Sequence, residues 1–118
     1  MIRIFRRRSR KLKVDKYAER WQELQKLCAN RRTWPEAVIA ADTLLCEALK
    51  KRGYKGKTTG EKLVAAQHEL SDNEAVWFGH KLCNRIANED VRKLRKQDII
   101  DALAGFRQAL RDLGALQK

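Results

Sequence analysis

His80, Asn84 and Asn88 recur at steps of four within Trp77-Phe78-Gly79-His80-Lys81-Leu82-Cys83-Asn84-Arg85-Ile86-Ala87-Asn88-Glu89. A helix over this stretch carries all three on one face. Histidine titrates near neutral pH and arginine grips phosphate in a fork, so His80 and Arg85 have the chemistry for proton transfer and phosphate contact. Asparagine costs a helix roughly half a kcal/mol against alanine, and two in successive turns call for compensation. Two compensations fit. Asn88 can end the helix while Asn84 bonds a neighbouring backbone, or the polar face can be a site at a dimer seam.

Other reactive groups have structural explanations. Cys28, Cys46 and Cys83 are odd in number, widely spaced and without a C-x-x-C pair, which argues against disulfides and against a zinc site. A nucleophilic thiolate needs a histidine or a helix N-terminus beside it, whereas these cysteines fall on apolar stripes and read as small core residues. The pair Asp72 and Glu74 stands at a helix start, where capping explains it, and Glu89 with Asp90 stands at a helix end. His68 lies near another helix end, which suits a cation. The loop from Lys50 to Gly60 is rich in lysine and glycine, yet it lacks the P-loop spacing and follows a helix instead of a strand. It reads first as a helix cap and tight turn, and second as a basic loop in which Tyr54, Lys55 and Lys57 contact RNA.

These residues must be positioned by helices, because apolar side chains recur at three and four residues and no segment alternates as a strand does. A first helix is predicted from about Asp15, its N-cap, to Ala29, with Tyr17, Trp21, Leu24, Leu27 and Cys28 inward. A second opens at Thr33-Trp34-Pro35-Glu36 and runs to Arg52, where Gly53 stops it. Val38, Ala41, Leu45, Ala48 and Leu49 form its inner face, flanked by Ile39, Leu44 and Cys46. Thr58 with Glu61, and Ser71 with Glu74, are capping-box patterns for a short helix ending near His68 and a long one over 72 to 88. The last helix spans roughly Gln97 to Leu113 before Gly114. The fold class is therefore all-α, four long helices and one short in a bundle.

Charge divides the chain of 118 residues, whose net charge is +12. Residues 1 to 16 hold eight basic side chains (Arg3, Arg6, Arg7, Arg8, Arg10, Lys11, Lys13, Lys16) against Asp15, leaving nineteen against fourteen for the bundle domain, 17 to 118. A block of like charge resists packing and attracts a polyanion. Nucleic acid is the first expectation for that partner, an anionic membrane surface the second, and a solvated tail the third reading. The apolar anchors Met1, Ile2, Ile4 and Phe5 are few for membrane attachment and too short for a secretory signal, so the expected location is cytoplasmic.

The stretch Cys83-Asn84-Arg85-Ile86-Ala87-Asn88 resembles the R-N-x-x-A-H form of the R-x4-6-H signature in the HEPN (higher eukaryotes and prokaryotes nucleotide-binding) families. The preceding Ala75 to Leu82 and the Ala37 to Leu45 helix with its Arg52-Gly53-Tyr54 end are similar to small bacterial members. The resemblance, over roughly residues 17 to 114, implies a helical bundle that dimerises and, in many members, a metal-independent ribonuclease. Asn84 and Ala87 match the signature; Cys83 stands where it has arginine and Asn88 where it has histidine. Cysteine supplies no bidentate cation and asparagine no proton shuttle, so the usual cleavage chemistry is expected to be lost.

The resulting expectation is a non-catalytic bundle that binds RNA, without cofactor or metal and as a homodimer. Arg6, Arg7, Arg8, Arg10, Lys11 and Lys13 would supply affinity, with Tyr54, Lys55, Lys57 and Arg85 as further contacts. His80, Asn84, Asn88 and Glu89 would line the remaining groove. Two alternatives stay open: an endoribonuclease with a relocated site built on His80 and Arg85, and a protein-interaction module of a toxin-antitoxin-like pair.

Overall fold

Helix ends leave amides and carbonyls unpaired, and the side chains that satisfy them fix where each helix begins. In the computed structural model, which describes residues 12–89 and 94–117, Thr58 accepts from the Glu61 amide at 3.1 Å, and the Glu61 carboxylate accepts from the Lys57 amide at 2.7 Å. This is the expected capping exchange, reaching back one residue further. Asp72, rather than Ser71, caps the next helix, accepting from the Ala75 amide at 3.0 Å. Ser71 is instead bound through its amide and hydroxyl to Asp112, both at 2.8 Å.

The elements are α1 (Val14–Lys26), two 3-10 turns (Leu27–Ala29 and Arg31–Thr33), α2 (Trp34–Lys51), α3 (Thr59–Ala65), α4 (Asn73–Asn88) and α5 (Lys96–Asp112). The all-α class and its four long helices and one short are as expected, and no strand occurs among the described residues. Some boundaries move. Lys13, not Asp15, is the N-cap of α1, and Asp15 lies in its first turn. Tightening at Leu27–Ala29 ends α1 early. Thr33 precedes α2 without capping it, because its hydroxyl donates to the carbonyls of Leu27 and Asn30.

The C-termini of α2 and α5 share one device. Gly53, at φ 94°, lets its own amide reach the Lys50 carbonyl and the Tyr54 amide the Leu49 carbonyl. Gly114, at φ 83°, does the same with Arg111 while Ala115 reaches Leu110. Both are Schellman closures. Arg52 then ties the two ends together, donating to the Leu113 carbonyl at 2.6 Å and pairing with Glu69 at 2.8 Å.

α2 is central, touching α1, α3, α4 and α5, and its face of Val38, Ala41, Leu44, Leu45, Ala48 and Leu49 is buried. Ile39, Val64 and Ile100 lie outside the core, exposed. The most extensive contact joins α4 to α5. It is close because glycines face it: a methyl at Gly105 would overlap the Ala75 carbonyl oxygen, and one at Gly79 would stand 2.8 Å from the Phe106 ring. No helix among the described residues is long and apolar enough to cross a membrane.

Candidate functional site

The middle of α4 faces α2, so a polar residue there is buried at a cost unless a partner from α2 receives it. Asp42 is that partner. His80 Nδ1 lies 2.8 Å from Asp42 Oδ1, with the two side chains only 9% and 13% exposed. A carboxylate can only accept, which places a proton on Nδ1 and turns Nε2 toward Asn84 Nδ2, 3.5 Å away. Trp77 packs edge-on against the imidazole, with ring centroids 5.6 Å apart. The first turn of α3 closes the other side, since a methyl at Gly60 would stand 3.5 Å from His80 Nε2.

Cys83 shares the same carboxylate. Its thiol donates to Asp42, and its pKa is pushed up to about 12, chiefly by burial and then by the charge and hydrogen bond of Asp42. A thiol held this way carries no nucleophilic thiolate near neutral pH. The Cys28 thiol is also raised by burial. Cys83 is buried as expected, whereas Cys28 and Cys46 are only partly so.

The polar residues of late α4 do not assemble around His80. Asn84 touches the imidazole rather than a neighbouring backbone, while Asn88 is the last residue of α4 and Glu89 its C-cap, whose amide donates to the Arg85 carbonyl at 2.8 Å. Asn84, Arg85, Asn88 and Glu89 are exposed and His80 is buried. Five residues of helix separate His80 from Arg85, placing them about 140° apart around the axis. His80 is buried against Asp42 whereas Arg85 is exposed, so the two do not line one open site.

Tyr54 also departs from expectation. Its hydroxyl donates to Glu69, its ring is half-buried against the core, and His68 meets it edge-on at 6.1 Å. The ring is engaged within the fold and is not an open stacking platform. Lys55 and Lys57 are exposed beside it, and the loop is held from behind by Lys62, buried and donating to the Gly56 carbonyl at 2.9 Å. Arg6, Arg7, Arg8, Arg10 and Lys11 lie outside the described residues.

A second arrangement, which the spacing of residues did not reveal, lies between α1 and α2. A groove of about 540 Å³ has Leu12 and Tyr17 in its wall, with Lys13, Lys16 and Lys51 around it. Glu19, Arg20 and Glu47 complete the lining. Arg20 spans to Glu47 with a fork of two bonds, 2.6 and 2.9 Å, which lowers the Glu47 pKa and raises that of Arg20. Tyr17 is raised above its ordinary value by burial and then by Glu47. Lys51 also acts on Glu47, its charge adding to the lowering of that carboxyl's pKa.

Asp42 had a detectable signal: it stands four residues after Val38 and three before Leu45, a charge on an apolar stripe. The groove had less, because Lys51 and Lys16 are far apart in sequence. Among the described residues no group of three or more histidine, cysteine or acidic side chains is arranged to hold a metal ion. Compared with protein-family models, with curated proteins and with solved structures, the chain has no match.

Proposed function

We propose that this chain is a non-catalytic, HEPN-like helical bundle that binds RNA in the cytoplasm as a homodimer. The observation that carries the reading is the run of cationic side chains in the sequence, eight among residues 1 to 16 against Asp15, of which Lys13 and Lys16 line the groove between α1 and α2. Phosphate neutralisation by such a surface supplies sequence-independent affinity. The lack of catalysis is supported by the α4 centre, where Cys83 is a high-pKa thiol, His80 is enclosed by Asp42, Trp77 and Asn84, and Arg85 is exposed. Ile39, Phe78 and Ile100, exposed on three long helices, are apolar surface available to a dimer contact.

The test is a gel-shift titration of end-labelled RNA with the purified chain at two salt concentrations, which reads retardation and cleavage together. The expected result is a salt-sensitive shift with intact RNA. Cleaved RNA would replace the binding module with a ribonuclease. Neither shift nor cleavage would move the function to a protein partner or an anionic membrane.

A further inference from the structure

We infer that the outer face of α4 is a self-complementary seam on which a second copy of this chain docks antiparallel, Glu74 of each copy meeting Arg85 of the other and Phe78 meeting Lys81. The inference rests on the homodimer reading and names the surface and the residues that form it. Glu74, Phe78, Lys81 and Arg85 are all exposed on α4. Their spacing of four, three and four keeps them within an arc of about 60° around the helix axis, the stripe along which two helices pack side by side. Phe78, at 41% exposed, is a large apolar ring left outside the core. Glu74, Lys81 and Arg85 make no side-chain hydrogen bond or ion pair among the described residues.

The order of these residues selects the occupant. Their spacing reads the same in both directions, so a two-fold axis between residues 79 and 80 lays the stripe on its own reverse. Glu74 then stands opposite Arg85, whose guanidinium donates a fork to a carboxylate, and Phe78 opposite Lys81, whose stem covers the ring and whose ammonium is drawn to its face. Each contact occurs twice. A parallel docking would instead set Glu74 on Glu74, Lys81 on Lys81 and Arg85 on Arg85, like charge on like at three positions. α5 widens the seam. Because Gly105 faces Ala75 and Gly79 faces Ala102, it runs antiparallel to α4 and brings Ile100 and Ala104, both exposed, level with residues 77 to 81, where they offer apolar area at the flank of the stripe.

The experiment is sedimentation equilibrium of the full chain over a concentration series, after nuclease treatment so that no RNA bridges two copies. The wild type is set beside E74R, beside R85E, and beside an equimolar mixture of the two. E74R raises the net charge and R85E lowers it, so weaker association in both does not come from net charge. The dissociation constant of each should rise about tenfold or more, because like charges then meet at both ends of the seam. In the mixture one copy offers two arginines and the other two glutamates, which the antiparallel register pairs, and the constant should return to within about threefold of the wild type. F78S, which changes no charge, should weaken the dimer severalfold. Circular dichroism establishes that each variant folds. An unchanged constant in E74R or R85E, or a mixture no tighter than its components, would overturn the seam while leaving the homodimer in place. A wild type that is monomeric throughout would overturn the homodimer reading as well.

Discussion

The α2–α4 and α1–α2 seams each carry a cation-capable side chain facing a carboxylate across two helices, and they differ almost wholly in their exposure to water. His80 and Asp42 are 9% and 13% exposed, whereas Arg20 and Glu47 are 47% and 45% exposed. The buried pair gains from its geometry only by replacing water with specific partners, so Asp42 must serve both His80 and Cys83. The exposed pair is screened by water and salt, and its contribution is correspondingly small. Burial turns a polar contact into a structural commitment, and exposure leaves it available to a ligand.

The sharpest way to break this comparison is to remove Asp42. D42A leaves the imidazole and the thiol without their acceptor inside the bundle, and stability should fall by about 3 kcal/mol, within the range for a buried pair broken on one side. Urea denaturation followed by circular dichroism reads the loss. A decrease below about 1 kcal/mol would mean that the α2–α4 seam behaves like the exposed one.

Much of the fold was legible because its information is local. Thr58 and Asp72 accept from amides three residues ahead, Gly53 and Gly114 close the helices they follow, and the apolar stripe of α2 spans a few turns. The site was less legible because its partners are remote. His80 meets Asp42 across 38 residues, and Tyr54 is drawn inward by Glu69 and the core beneath it. Helical periodicity reports which face a residue occupies; it does not report what the opposing helix presents. Thus His80, Asn84 and Asn88 were placed on one face, but the change from buried His80 to exposed Asn84 and Asn88 depends on what the neighbouring helices cover.

Alkaline titration sharpens the comparison through Cys83. Its folded pKa, near 12, is raised from an ordinary value of 9.0, so the native state holds the proton after the unfolded chain has released it. The neutral thiol's contribution is complete below pH 9 and is lost as pH rises toward 12, at about 1.4 kcal/mol per pH unit between the two values. The wild type should therefore lose more stability than C83A between pH 9 and 10, the difference cancelling lysine and tyrosine titrations common to both. Parallel curves would show that the thiol is as accessible to water as a surface group.

The smallest effect belongs to Arg20 and Glu47. A double-mutant cycle of R20A, E47A and the pair should give a coupling below about 1 kcal/mol, falling as salt is added, because both side chains are nearly half in water. The pH direction follows from Glu47, whose pKa is lowered by the Arg20 hydrogen bond: the stabilisation is present above the unfolded carboxylate range and is lost as pH falls through the depressed folded value. Retention of the coupling at high salt would mean that the fork is shielded by the groove around it. The two seams would then differ in degree alone.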